Sequence, residues 1–440
     1  MKRDGFKGGV HPWDGKSLAM DKKIESVAAT KEMVYPLSQH IGAPAKAVVR
    51  VGDEVLVGQT IAVGESFVSS DIIASVSGKV KAIEPRTVVQ GNKVESIVIE
   101  NDEEDRAVEG LGNERDYEKL SKEEIREIVK KAGIVGMGGA AFPTHVKLTP
   151  KNDRDIDYVI VNGAECEPYL TSDYRVMLEN GEELVKGLKV ILKLFHNAKG
   201  VIAMEDNKPE CANYLKELVR DEENIQVKVL RTKYPQGAER NLIYAVTGRM
   251  LNSKMLPADV GCVVNNVDTV VAVYMAVCKN TPLMRRIITV TGSGIANPGN
   301  FSVKTGTNYQ ALIDAAGGFV GEPEKIISGG PMMGTAMFTT NVPVTKNSSA
   351  IVAMTKDEVA VNEPSNCIRC GRCVKACPSR LIPQKLYECS SHFDTEGFVK
   401  IGGMECYECG SCTYVCPAKI RLTQSFKETR KTIISNRRKG

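Results

Sequence analysis

Aromatic side chains are scarce in this chain: Phe, Trp and Tyr make up 5% of its 440 residues, with a single tryptophan. Histidine is scarcer still, and the five copies are too scattered to form a metal or catalytic constellation. No apolar run approaches the ~18–20 residues that a membrane span requires. Met1, Lys2 and Arg3 are followed by Asp4 and a glycine-rich stretch rather than an apolar segment, so no signal peptide is expected. A net charge of +4 singles out no polyanionic partner, and no nucleic acid is expected. The length calls for several domains, each able to bury its own core. Cysteine is not scarce: there are thirteen.

Eight of the thirteen fall into one pattern written twice. Cys367, Cys370, Cys373 and Cys377 read C-x-x-C-x-x-C-x-x-x-C, and Cys406, Cys409, Cys412 and Cys416 repeat it, with Pro378 and Pro417 closing the two copies. Structural zinc sites use paired C-x-x-C knuckles and have no use for a C-x-x-C-x-x-C triplet with a distant fourth thiolate. The spacing is similar to that of two-cluster bacterial ferredoxins. That resemblance implies crossed ligation: Cys367, Cys370, Cys373 and Cys416 on one [4Fe–4S] cluster, and Cys406, Cys409, Cys412 and Cys377 on the other. Two clusters in one small module make an electron wire. Oxygen-sensitive clusters and no secretion signal imply a reducing cytoplasm.

The remaining chain reads as a multidomain α/β protein with small β domains. Residues 1–105 hold short Val/Ile runs punctuated by glycine, expected as strands with tight turns. The turns around Gly52-Asp53, Gly58-Gln59 and Ser77-Gly78 resemble the barrel-sandwich fold of biotinyl and lipoyl carriers, but no lysine occupies the hairpin Phe67-Val68-Ser69-Ser70-Asp71. A docking or structural role is expected for it. Residues 106–121 read as a linker. Residues 122–286 alternate apolar strand-like segments with helical ones, which predicts an α/β domain with a parallel sheet. Residues 287–346 resemble a small β-grasp domain, and 347–440 hold the cluster module and a basic tail. Cys211, Cys262 and Cys278 read as buried core residues; Cys166 and Cys389 fit neither cluster motif.

Four segments of the middle domain belong together. The loop 136–143 carries Gly136, Gly138, Gly139 and Phe142, with small residues that let backbone N–H groups approach an anion. The others are Val161-Asn162-Gly163-Ala164-Glu165-Cys166-Glu167, Tyr234-Pro235-Gln236-Gly237-Ala238-Glu239 and Asn265-Asn266-Val267-Asp268-Thr269. In this order they resemble the flavin subunit of respiratory complex I. Over nearly its full length, with the opening Phe6-Lys7-Gly8-Gly9-Val10-His11-Pro12, the chain resembles the C subunits of Rnf-type ion-translocating ferredoxin:NAD oxidoreductases.

The resemblance implies a noncovalent FMN, with NAD(H) as substrate. Gly136, Gly138, Gly139 and Lys147 would meet the FMN phosphate and ring edge, and Phe142 would remain for stacking. Asn162, Glu165 and Glu167 would line the isoalloxazine and nicotinamide pocket. Tyr234, Gly237 and Glu239 would border the other side of the ring, and Asn265, Asn266 and Thr269 would hold the ribityl phosphate. Met137 and Ala164 stand where complex I relatives usually carry arginine and aspartate. The resemblance further implies a peripheral subunit on the cytoplasmic face of the membrane, working with a ferredoxin-like subunit and integral membrane subunits. Two alternatives stay open: a cobalamin reductase of the microcompartment type, and an electron-relay adaptor that has lost its flavin.

Overall fold

The computed structural model of the protein describes residues 5–437. The middle of the chain builds a four-stranded parallel sheet in the order Ile225–Leu230, Lys199–Glu205, Tyr158–Gly163, Cys262–Asn266. Helices cover both faces, which is why its strands are near-continuous apolar runs. On one face Leu184, Leu188 and Ile191 of helix Gly181–Leu192 pack with Val267, Val270 and Val271 of helix Val267–Lys279. On the other, Leu242 and Ile243 of helix Glu239–Thr247 pack on Ile160, Leu230 and Val264. Chain order along the sheet runs third, second, first, fourth. The order reverses between Tyr158–Gly163 and Cys262–Asn266, and open α/β sheets bind ligands at the carboxyl ends of strands at such a reversal. Helix starts are set locally. Ser121 and Glu124 close a capping box on helix Lys122–Lys131, and the Asn266 side chain accepts from Asp268 N to start Val267–Lys279.

The N-terminal domain faces a sheet of Glu32–Pro36, Lys93–Asn101, Gly78–Thr87 and Glu54–Val55 against a three-stranded one of Lys46–Ala47, Thr60–Val63 and Ile72–Ile73. Met33, Tyr35, Ile61, Val80, Ile97 and Ile99 fill the space between. Its 67–71 hairpin docks on the middle domain, where the Phe67 carbonyl lies 2.9 Å from His145 Nε2. Lys346 fastens three domains at once: its ammonium, buried, donates to Ser70 Oγ at 3.1 Å, to Gly133 O at 2.7 Å and to Asp71 O.

The third domain departs from its expected limits. Its six-stranded sheet is ordered Ile24–Ser26, Gly299–Lys304, Arg285–Thr291, Ala350–Met354, Lys325–Ser328, Thr335–Met337. An end at residue 346 would cut off Ala350–Met354, which pairs with both Arg285–Thr291 and Lys325–Ser328 and contributes the buried Ile351 and Ala353. A strand from the first 30 residues completes the edge, because pairing in a sheet is set by hydrogen bonds across space, which domain reading along the chain cannot see.

The last module is helical: Arg372–Ala376, Pro383–Ser391, Thr395–Lys400, Ser411–Tyr414 and Leu422–Arg437. The basic tail is largely a packed helix. Phe426 and Ile433 join Leu386, Phe398 and Leu422 in the core, and Arg430 pairs with Glu408. Residues 438–440 lie outside the described part. Among the described residues no helix is long and apolar enough to cross a membrane.

Candidate functional site

The sheet reversal opens into a cleft of about 1790 Å³. This exceeds the ~300–1,000 Å³ of a pocket for one drug-sized ligand. Of the residues expected to bind cofactor, Gly136, Gly138, Gly139, Phe142, Lys147, Asn162, Glu165, Glu167, Tyr234, Gly237, Glu239 and Asn266 line it; Asn265 and Thr269 do not.

Several of these hold the walls rather than face the cleft freely. Asn162 donates from Nδ2 to Gly237 O at 2.9 Å and accepts from Ala164 N, tying the strand end to the 234–239 loop. Thr269 is fully buried and its hydroxyl oxygen accepts from Met137 N at 3.0 Å, so it fastens the glycine loop to a helix instead of reaching a phosphate. Asn266 is spent on its helix cap and on a 2.7 Å bond to Asp173 Oδ2. These three were expected to contact cofactor; their bonds are to the protein. Asn265 differs, since both atoms of its buried amide lack a protein partner.

The open groups suit an anionic, planar ligand. The N–H groups of Gly138, Gly139 and Ala140 donate to nothing among the described residues. Lys147 stands beside them, its ammonium 3.0 Å from Val264 O, with its pKa lowered by burial against the opposing pull of Glu239. Free N–H groups in a loop, one lysine and a wide slot fit a flavin phosphate and ring.

Sequence reasoning missed the charges behind this surface. Arg286, at the start of an apolar strand, buries its guanidinium between Asp268 and the side of Met137 and donates to Ser348 O at 3.1 Å. Asp173 is pushed up to about 8, first by burial and then by Glu165 and Asp268. Lys16 drives its ammonium under the 163–170 loop, donating to Leu170 O at 2.5 Å and Glu167 O at 3.1 Å, 3.9 Å from Glu165. An isolated Lys in a glycine-rich leader carries no signal of this in sequence.

Glu167 and Tyr234 connect the cleft to the last module. The Glu167 carboxylate accepts from Met332 N at 3.1 Å, and burial pushes its pKa up to about 7. The Tyr234 hydroxyl, 3.4 Å from Glu167, donates to the carbonyl of Cys409 at 2.7 Å. Cys406 and Cys409 themselves line the cleft. A separate small cavity gathers Cys377 with Cys406, Cys409 and Cys412, the grouping expected from crossed ligation, beneath Phe426 and Leu386. Burial pushes the thiols of Cys406 and Cys412 up, to about 11 and about 12. Cys367 and Cys370 are exposed, and burial, with a lesser push from Cys416, raises the Cys373 thiol. Among the described residues no three His, Cys, Asp or Glu groups converge as a single metal ion demands. A cubane has four irons with one thiolate each and spreads its ligands wider.

Family models match along the chain: an RnfC barrel sandwich hybrid domain at residues 4–104, a Nuo51 FMN-binding domain at 129–275, an SLBB domain at 287–336 and a 4Fe-4S dicluster domain at 359–420. The chain is 43% identical over 440 residues to the C subunit of the Na(+)-translocating ferredoxin:NAD(+) oxidoreductase complex of Acetobacterium woodii, covering 100% of this chain and 99% of that one. It belongs to this C-subunit family. The C subunit of the proton-translocating ferredoxin:NAD(+) oxidoreductase complex of Clostridium ljungdahlii is 48% identical over 381 residues, 87% of this chain and 83% of the relative. The Rhodobacter capsulatus C subunit of an ion-translocating oxidoreductase complex is 41% identical over 424 residues, 96% and 82%. A solved NAD+-reducing [NiFe]-hydrogenase chain shares the fold at 16% identity and TM-score 0.50, over 72% of this chain and 62% of its own length. The C-subunit family thus brings an FMN-binding and a two-cluster domain to this chain.

Proposed function

We propose that this chain is the NAD(H)-linked flavo-iron–sulfur subunit of a membrane-bound, ion-translocating electron transport complex. It sits peripherally at the cytoplasmic face and exchanges electrons with a ferredoxin-like subunit and integral membrane subunits. Tyr234 carries the reading: one side chain lines the cleft at the sheet reversal and hydrogen-bonds the backbone of a cluster cysteine.

A flavin bound here would supply the exchange between two-electron hydride chemistry and one-electron transfer. The chain's own residues do the rest. The unpartnered N–H groups of residues 138–140 and Lys147 bind and orient a phosphate. Glu167, held by Met332 N and near Tyr234, keeps a carboxyl able to hold or release a proton at the wall shared with the cysteines. Phe426, Leu386 and Leu381 exclude water from the inner cysteine group, leaving Cys367 and Cys370 at the surface as the exit toward a partner.

Anaerobic titration with NADH, following flavin and cluster absorbance together, tests this. The expected protein contains one acid-releasable FMN and about eight iron and eight sulfide, and both chromophores bleach. Tightly bound zinc with little iron, or a flavin that bleaches while the clusters never do, would overturn it.

A further inference from the structure

The opening segment of the chain contributes to neither cofactor set, yet it crosses the junction between them. Gly9 N donates to Ala376 O at 2.7 Å, next to Cys377. Val10 N and O bond Tyr234 O and N at 2.9 and 3.0 Å, a short antiparallel bridge onto the cleft loop. The Val10 side chain is buried against Tyr234, Ala376 and Cys409. Both ends are tied down. Upstream, the Phe6 ring lies 4.9 Å under the Lys233 ammonium, which also donates to Phe6 O. Downstream, Asp14 O accepts from Tyr169 N at 2.6 Å, Trp13 meets the Tyr169 ring edge-on at 5.4 Å, and Lys16 is buried under the same loop.

The two glycines are required by contact. Gly8 and Gly9 have φ of 82° and 79°. A Cβ on Gly8 would stand 2.6 Å from Cys377 O, and one on Gly9 would stand 2.5 Å from Tyr234 O. Backbone is pressed on backbone at both points, one in each module, and neither partner atom is a flexible side-chain end.

We propose that residues 5–16 are a clasp that sets the spacing between the flavin cleft and the iron–sulfur module, with Gly8 and Gly9 as positioning residues for electron transfer between them. The inference rests on the function proposed above. Electron transfer through protein weakens steeply with distance, so a clasp that sets how far one module stands from the other sets the rate between the two centres.

The test uses the full chain with its cofactors and four variants: Gly8→Ala, Gly9→Ala, Phe6→Ala and Gly112→Ala. Gly112 is a control, since it shares the positive φ, 83°, but a Cβ there meets nothing within 4 Å. Hydrogen exchange reads the clasp with no electron flow. Peptides covering 230–238 and 372–380 should exchange faster in Gly8→Ala and Gly9→Ala, and the rest of the chain as in wild type. After rapid mixing with NADH, flavin bleaching should keep its wild-type rate while cluster bleaching slows severalfold. Phe6→Ala should shift both readouts the same way by less, and Gly112→Ala should match wild type. If the glycine variants do not accumulate as folded protein, Phe6→Ala decides. Wild-type exchange and wild-type cluster rates in the variants, or an equal effect from Gly112→Ala, would overturn the clasp. Clusters that stay oxidised in wild type itself would instead overturn the functional reading.

Discussion

The two cysteine motifs have one spacing, 39 residues apart, and two environments. The second copy turns inward: Cys409 is buried, Cys406 and Cys409 line the flavin cleft, and Phe426 and Leu386 close over the group. The first turns outward, with Cys367 and Cys370 exposed beside Ile368, which is 68% exposed, and Arg369, Arg372 and Arg380. A duplicated ligand pattern therefore fixes what is bound twice, but not what it is bound next to. The surroundings enclose one site beside the cleft and leave the other open at the surface.

The comparison depends most on which fourth cysteine belongs to which site. Cys377→Ser should abolish the cluster of the inner group and Cys416→Ser that of the outer one, as read by electron paramagnetic resonance of the reduced proteins. Loss of the sequence-local cluster in each variant would exchange the two environments. Next in size is the cover. Phe426→Ala should cost the module about 3–5 kcal/mol and speed oxidative loss of the inner cluster, while the outer one, already at solvent, decays as before. Equal loss of both would show that burial does not distinguish them.

Lys147→Ala sharpens the contrast from the flavin side. Losing a charge-assisted partner should weaken FMN retention on dialysis by roughly 1.5–3 kcal/mol and leave iron content unchanged. Full flavin occupancy would remove Lys147 from the phosphate site. The smallest effect concerns Glu167, near the inner group alone. Its carboxyl is raised to about 7 by burial, above the 4.5 of a free glutamate, so the native state holds the proton more tightly than the unfolded one. Its contribution to stability is whole below about 4.5 and is lost as pH rises through about 7. Glu167→Gln, neutral throughout, should lack that fall when denaturation midpoints are compared from pH 5 to 8. Parallel pH profiles would count against a buried, proton-holding carboxyl.

Much of this was legible in the order of residues alone. Strands near 158, 200 and 225 and helices near 122, 181 and 209 were expected, because the strands are short apolar runs and the helices amphipathic ones, set apart by turn or cap residues. Helix Val267–Lys279 was not, since it is apolar nearly all round and carries no amphipathic signal. The cleft residues came largely from motif order, yet Asn162, Asn266 and Thr269 proved to be bonded into its walls. Motifs mark where a chain must keep its chemistry without separating the atom that touches a ligand from the one that holds the loop. Arg286, Asp173 and Lys16 were invisible because their importance lies in long-range burial, and no local pattern reports that a single Lys or Arg will be enclosed.

The clasp also has a consequence for the order in which the protein is made. Gly9 leaves the ribosome some 367 residues before Ala376, its hydrogen-bond partner, an interval of roughly 20–70 s at common elongation rates. The α/β domain and the barrel can fold in that interval, but the junction cannot close until the last module has emerged. Nascent chains halted before residue 372 should be cut by protease near Gly8 and Gly9 faster than released, cofactor-loaded chains.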